Sequence, residues 1–283
     1  MAGFLDIASE IAREAGAIHM SYLNRVAYEI KGEQDLVTEA DRASERLICE
    51  RLRSHFPSHG IVAEEGGGHV SPSGYRWFVD PLDGTTNFAH GFPVFNVSMG
   101  LEKDGELICG VIYDATRDEL FAAEKGSGAH LNNRPIRTSN PRTLETSLVS
   151  TGFPSTKRSQ SVNIHFYYQL GMITHGIRRA GAAAIDFAYV ACGRLEAFWE
   201  FKLNPWDMAA GILIVREAGG TCSDMFGNPV DLYGEHVVAD NSHIHAELIA
   251  TFGDIFDGKV VYPLPEIKPR ARRSPCRLRH PNP

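Results

Sequence analysis

No apolar run in this sequence approaches the roughly 18 residues that a membrane-spanning helix requires, so a membrane role is not expected. Cysteine is sparse and unpaired in pattern. Cys49, Cys109, Cys192, Cys222 and Cys276 are odd in number and none falls in a C-x-x-C pair. That pattern suggests neither a disulfide framework nor a zinc site, and leaves buried thiols as the expected state. The first ten residues, MAGFLDIASE, have no basic n-region and place acids where a signal peptide would be apolar. A cytoplasmic location is the expectation. Positive charge is short as well. The formal net charge is −7, yet the tail after Ile267 holds Lys268, Arg270, Arg272, Arg273, Arg277 and Arg279 with no acid. Subtracting those six leaves a body near −13. Such a body argues against nucleic acid as the main partner and suits a protein that gathers carboxylates around divalent cations.

What is present is ordinary globular material: 43% hydrophobic and 22% charged residues over 283, enough for one large domain or two moderate ones. Phe4, Ala8, Ile11, Ala15, Ile18 and Tyr22 recur at helical spacing and predict an amphipathic helix over 4–22. A strand from Tyr28 runs into a polar loop. Thr38-Glu-Ala-Asp41 resembles a capping box and opens a helix with Leu47, Ile48, Leu52 and Phe56 on its apolar face, ending near Pro57. Short strands are expected at 60–63, 77–80, 95–101, 107–113 and 119–123, followed by hairpins near 125–128 and 132–135. This half, 1–145, reads as two helices on an antiparallel sheet. From 146 to 262 strands alternate with helices, which predicts an α/β half. Its helices are expected at 161–174 (Ile164, Tyr168 and Met172 inward), 182–192, 205–218 and 243–252, and its strands at 148–151, 195–199 and 237–239. Residues 263–283 are proline-rich and basic and are expected to be a disordered, solvated extension.

The chemistry centres on Arg76-Trp-Phe-Val-Asp-Pro-Leu-Asp-Gly-Thr-Thr-Asn-Phe88. A buried strand over 77–80 is expected to stop at Pro81 and turn through Asp83-Gly84-Thr85-Thr86. Asp80 and Asp83 are hard oxygen ligands of the kind Mg²⁺ prefers. The backbone N–H groups of Gly84, Thr85 and Thr86 can open a helix and receive a phosphate. Taken alone, D-x-x-D-G is also the pattern of an ordinary turn. Two other acids weigh against that. Glu64 follows the strand at 60–63, and two neighbouring strands that each end in an acid would bring Glu64 to Asp80. Asp207 stands in the first turn of a helix after Pro205-Trp206, where it also suits the helix dipole. Carboxylates at the ends of apolar elements are costly unless hydrogen-bonded or metal-bound.

Val62-Ala-Glu-Glu65, the Trp77–Phe88 motif and Pro205-Trp-Asp-Met-Ala-Ala-Gly211 together resemble the inositol monophosphatase family, over about residues 4–252. These are Mg²⁺-dependent, lithium-sensitive phosphomonoesterases. The resemblance implies a layered αβαβα sandwich of the sugar-phosphatase type, a mixture of α+β and α/β, and a homodimer. It implies that Glu64, Asp80 and the Leu82 carbonyl hold a first metal, and that Asp80, Asp83 and Asp207 hold a second. Glu64 would also reach a weaker third through water. The Gly84 and Thr85 amides would bind phosphate, and Thr85 Oγ would orient the attacking water with Glu64. Thr38 and Asp41 match positions that tune ligands without touching substrate.

Gly181, Ala182 and Ala183 match the segment whose backbone lines the substrate pocket. Glu200 matches an acid that accepts hydrogen bonds from polyol hydroxyls, with Asp207 nearby. The leading expectation is hydrolysis of myo-inositol monophosphate. Fructose 1,6-bisphosphate, histidinol phosphate and adenosine 3′,5′-bisphosphate are alternatives on the same core, and a binding protein without turnover is a further one. Lys202 could pair with Glu200, meet a second phosphate or be a solvated strand-end lysine, the last being favoured. Arg178 and Arg179 are expected at the dimer interface, and His90 as a structural or rim residue.

Overall fold

A computed structural model describes residues 3–23, 28–30, 36–154, 161–259 and 261–266. Five layers alternate as helix, sheet, helix, sheet, helix. The outer pair is α1 (Phe4–Tyr22) and α2 (Glu39–His55). Thr38 caps α2 through its side chain, and Asp41 returns the bond to the Thr38 backbone at 2.7 Å, so the expected capping box forms with Asp in place of Glu. Between α1 and α2 lies a two-stranded ladder, β1 (Tyr28–Ile30) with β2 (Leu36–Thr38).

Both helices lie on a seven-stranded sheet made of β3 (Gly60–Ala63), β4 (Tyr75–Asp83), β5 (Asn96–Lys103), β6 (Glu106–Asp114), β7 (Glu119–Glu124), β8 (Ala129–Leu131) and β9 (Arg134–Ile136), in that spatial order. The sheet is antiparallel as expected except at its edge, where β3 runs parallel to β4. Ile11, Ala15, Ile48 and Leu52 pack there on Trp77, Val97 and Met99. Strand β4 does not stop at Pro81. It continues to Asp83, with a register shift between Asp80 and Asp83 that absorbs the proline, which has no N–H for the ladder.

The second sheet is mixed, in the order β11 (Gly176–Arg178), β10 (Leu148–Thr151), β12 (Ala197–Phe201), β14 (His236–Asp240) and β13 (Thr221–Ser223). The three-residue strands β11 and β13 were not expected, being too short to show a period of two. Between the sheets lie α5 (Ala183–Ala191) and α6 (Pro205–Glu217), packed on Ile112 and Phe121 on one side and Phe198 and Val237 on the other. The far layer is α4 (Asn163–Ile173) and α7 (His245–Phe256). Helix α4 turns the opposite way from the one expected. Phe166 and Leu170 are buried, whereas Ile164 and Met172 are exposed. Asn163, accepting from Trp199 Nε1 at 2.7 Å, fixes that rotation.

The middle layer needs close approach. Gly100 and Gly110 face each other across β5 and β6, and a Cβ on either would come within 2.8 Å of Ala209 or Ala210 of α6. A Cβ on Gly211 would come 2.5 Å from Phe187 of α5. The small residues of the Ala-Ala-Gly run therefore bring α6 down onto the first sheet, with Asp207 at its leading end. Of the expected free tail, Pro263 is held instead: its carbonyl accepts from Tyr168 Oη at 2.9 Å, and the neighbouring Tyr262 backbone exchanges two bonds with the Gln169 amide. The basic residues from Lys268 onward lie outside the described residues.

Candidate active site

The end of β4 is the floor of a cleft of about 380 Å³ between the two sheets. Because Ala63 pairs with Val79 in parallel register, the next residues, Glu64 just past the end of β3 and Asp80 still within β4, stand side by side. Glu45, buried on α2, accepts from the Glu65 and Gly67 amides at 2.7 and 2.8 Å and so holds the turn that carries Glu64. Asp80 Oδ1 accepts from the Leu82 amide at 3.0 Å. His19 Nε2 donates to the Pro81 carbonyl at 2.8 Å, tying α1 to the same turn.

Asp83 joins the two halves of the chain. Its carboxylate accepts from Asn96 Nδ2 at 2.7 Å and, 100 residues away, from the Ala184 and Ala183 amides at 2.8 and 3.2 Å. It therefore sits on the open N-terminus of α5, where the dipole favours an anion. The Ala183 amide, expected to face substrate, is committed to Asp83. Asn87 Nδ2 donates to the carbonyls of Val94, Ala180 and, more weakly, Gly181, which fixes the opposite wall.

Gly84 opens the short helix α3 (Thr85–Ala89) with φ 89°, in the left-handed region, and a Cβ there would come 2.8 Å from the Val94 carbonyl. Thr85 Oγ1 lies 3.0 Å from both Asp41 Oδ1 and the Leu82 carbonyl. Asp41 Oδ2 accepts from the Thr38 amide and hydroxyl. Thr38, Asp41 and Thr85 thus form one chain of bonds leading into the cleft. Asp207 is the third residue of α6 and accepts from the Asn204 amide at 2.7 Å, so Asn204, not Asp207, is the cap. Glu200, at the end of β12, is pressed against Gly152, where a Cβ would come 2.1 Å from its carboxylate.

Every site residue expected inside the cleft lines it: Glu64, Asp80, Leu82, Asp83, Gly84, Thr85, Gly181, Ala182, Ala183, Glu200 and Asp207. Sequence reasoning passed over Glu45, Asn87, Asn96 and Asn204. Asn87 was inside the quoted motif and Asn204 directly before Pro205, both visible signals; Glu45 and Asn96 carried none, because their partners are distant in sequence.

The electrostatics are those of crowded anions. Burial, then Glu64, Asp83 and Asp207, push Asp80 well above the usual carboxylate range. Burial raises Asp83 against the opposing pull of Asn96 and the α5 amides. Burial raises Asp207 to about 7, with Asp83 adding to it. Glu200 is raised by burial and then by Asp186, Asp207 and Asp83. Among the described residues, no three His, Cys, Asp or Glu side chains are already drawn into a finished metal-ligating group. The donor set nevertheless fits a hard divalent cation. It is all oxygen, it comes from three separate segments, and its members repel one another in the way a cation would reverse.

A layered αβαβα frame with a carboxylate-lined cleft between its sheets is the architecture of the sugar-phosphatase type. The inositol monophosphatase family profile matches residues 1–255. The chain belongs to the inositol monophosphatase family. It is 46% identical over 250 residues to an inositol-1-monophosphatase of Synechocystis, covering 87% of each chain. It is 44% identical over 261 residues to a Pseudomonas aeruginosa protein named Nus factor SuhB, covering 89% of this chain and 96% of that one. Among solved structures, an inositol monophosphatase from Anabaena superposes with a TM-score of 0.81 at 41% identity, covering 89% of this chain and 95% of that one. No helix among the described residues is long and apolar enough to cross a membrane.

Proposed function

We propose that this chain is a cytoplasmic, Mg²⁺-dependent phosphomonoesterase that hydrolyses a polyol phosphate, with myo-inositol monophosphate as the leading substrate. The observation that carries this reading is the convergence of Glu64, Asp80, Asp83 and Asp207 from three segments onto one cleft. Glu64, Asp80 and the Leu82 carbonyl hold one Mg²⁺, and Asp80, Asp83 and Asp207 another. Bound Mg²⁺ supplies Lewis-acid charge that acidifies water and offsets charge on the phosphoryl oxygens.

The chain's own groups do the rest. The Gly84 and Thr85 amides receive the phosphate. Thr85 Oγ1 donates a hydrogen bond to Asp41, so its oxygen is left to accept a hydrogen bond from the attacking water. Glu64 takes one proton from that water. The water oxygen bonds to phosphorus, the ester P–O bond breaks, and the polyol oxygen leaves and takes up a proton from solvent water. Glu200 accepts from polyol hydroxyls and sets the orientation of the alcohol. Phosphate release from inositol 1-phosphate, abolished by EDTA and restored by Mg²⁺, tests this reading; no release with Mg²⁺ present rejects it.

A homodimer completes the proposal. Exposed Phe92 and Arg178 and half-buried Tyr189 line a groove of about 670 Å³ beside the cleft, suited to a second copy. Light scattering that gives a monomer rejects it. A second reading comes from the name of the Pseudomonas relative: a role as a Nus factor, met by binding rather than turnover. That reading is favoured if Asp83→Asn abolishes hydrolysis yet complements loss of the gene.

A further inference from the structure

Two cations share the cleft with its five carboxylates, and neither forms a salt bridge among the described residues. Lys202 lines the cleft two residues beyond Glu200, is exposed, and forms no ion pair among the described residues. Its φ is 61°, the left-handed region where a residue with a side chain is strained and glycine is not. The turn itself is held by the backbone, since the Lys202 amide donates to the Glu235 carbonyl at 2.8 Å. Nothing in the packing calls for a lysine there. A strained residue at a cleft rim, with a free ammonium, points to a ligand.

Arg179 stands on the opposite wall. It is exposed, forms no ion pair among the described residues, and lines both this cleft and the groove beside it. A Cβ on Gly181 would come 3.2 Å from its guanidinium, so the side chain folds back over the substrate-facing segment. Its charge is felt by Glu200. Lys202 and Arg179 thus line the same cleft as the carboxylate assigned to polyol hydroxyls. A neutral alcohol has no use for two cations there.

We propose that Lys202 and Arg179 bind a second phosphate on the polyol or sugar, so that the cleft favours a bisphosphate over the matching monophosphate. The second phosphate is held and not cleaved. This inference rests on the phosphatase reading above and narrows its substrate class.

The test compares kcat/KM for fructose 1,6-bisphosphate and fructose 1-phosphate, with Mg²⁺, in the wild type, Lys202→Gly and Arg179→Gln. Glycine suits the backbone at 202, and a thermal melt confirms folding. Charge-assisted contacts of this kind predict a preference for the bisphosphate of about tenfold or more. Each variant should shrink that ratio, chiefly by raising KM for the bisphosphate. A wild-type ratio near one overturns the inference and leaves the phosphatase reading intact, as does a preference that both variants retain. Hydrolysis of neither compound, nor of inositol 1-phosphate, sinks both.

Discussion

The approach of α6 to the first sheet offers a sharp perturbation, Gly100→Ala. The position has an ordinary strand conformation, so alanine is not strained by its backbone. The new methyl would lie 2.7 Å from Ala209 Cβ and 2.8 Å from the Ala210 backbone nitrogen. Overpacking of this kind costs about 1–3 kcal/mol, and losing a glycine from the unfolded chain returns about 0.4–1 kcal/mol. The net is a destabilisation of about 1–2 kcal/mol, or a fall in Tm of about 2–8 °C for a chain of this size. The functional loss should be larger. The methyl lifts the helix that carries Asp207 away from Asp80, and a displacement of about 1 Å in a catalytic group costs about a hundredfold. A thermal melt and phosphate-release kinetics on the same preparation read both effects. Gly253→Ala on α7 is the control, because a Cβ there meets nothing within 4 Å. It should stabilise slightly and leave turnover alone. Unchanged melting and unchanged turnover in Gly100→Ala would refute the packing argument.

Three further outcomes follow from the same geometry. Burial holds the His19 imidazole down at about 4 against an ordinary 6.5, so the folded state takes up its proton later than the unfolded chain. Its contribution is fully present above pH 6.5 and fades as pH falls towards 4, by about 3 kcal/mol at about 1.4 kcal/mol per pH unit. Urea melts from pH 7 to 4 should show this slope, and His19→Leu should flatten it. Asp41→Asn leaves one acceptor oxygen for groups that now share two, so kcat should fall about tenfold or more while KM changes little, with a loss of about 1 kcal/mol in stability from the weakened cap. If the second metal leaves with product, millimolar Li⁺ should inhibit the Mg²⁺-supported rate; insensitivity would mean an altered second site.

Where one residue announced itself locally, the sequence was a good guide. The Thr38–Asp41 capping box, the strand delivering Asp80 and the Pro205 start of α6 are set by neighbours within a few positions. The carboxylates of the cleft were legible for the same reason, each standing at the end of a short apolar element. What was not legible depends on partners far along the chain. Asp83 as the anion at the head of α5 needs Ala183 and Ala184, 100 residues on. The rotation of α4 is decided by the Asn163–Trp199 bond, and its own pattern misled because Ile164 and Met172 are apolar yet face outward. The continuation of β4 through Pro81 rests on a ladder with β5 that no local pattern reveals.

The most direct test of the central claim is a Mg²⁺ titration of phosphate release from inositol 1-phosphate by the wild type and by Asp83→Asn, with folding checked by thermal melt. The wild-type rate should rise saturably with Mg²⁺ and vanish with EDTA, while the folded variant stays near zero at every concentration. A rate indifferent to Mg²⁺, or a variant that matches the wild type, would contradict the assignment of these carboxylates to a metal centre.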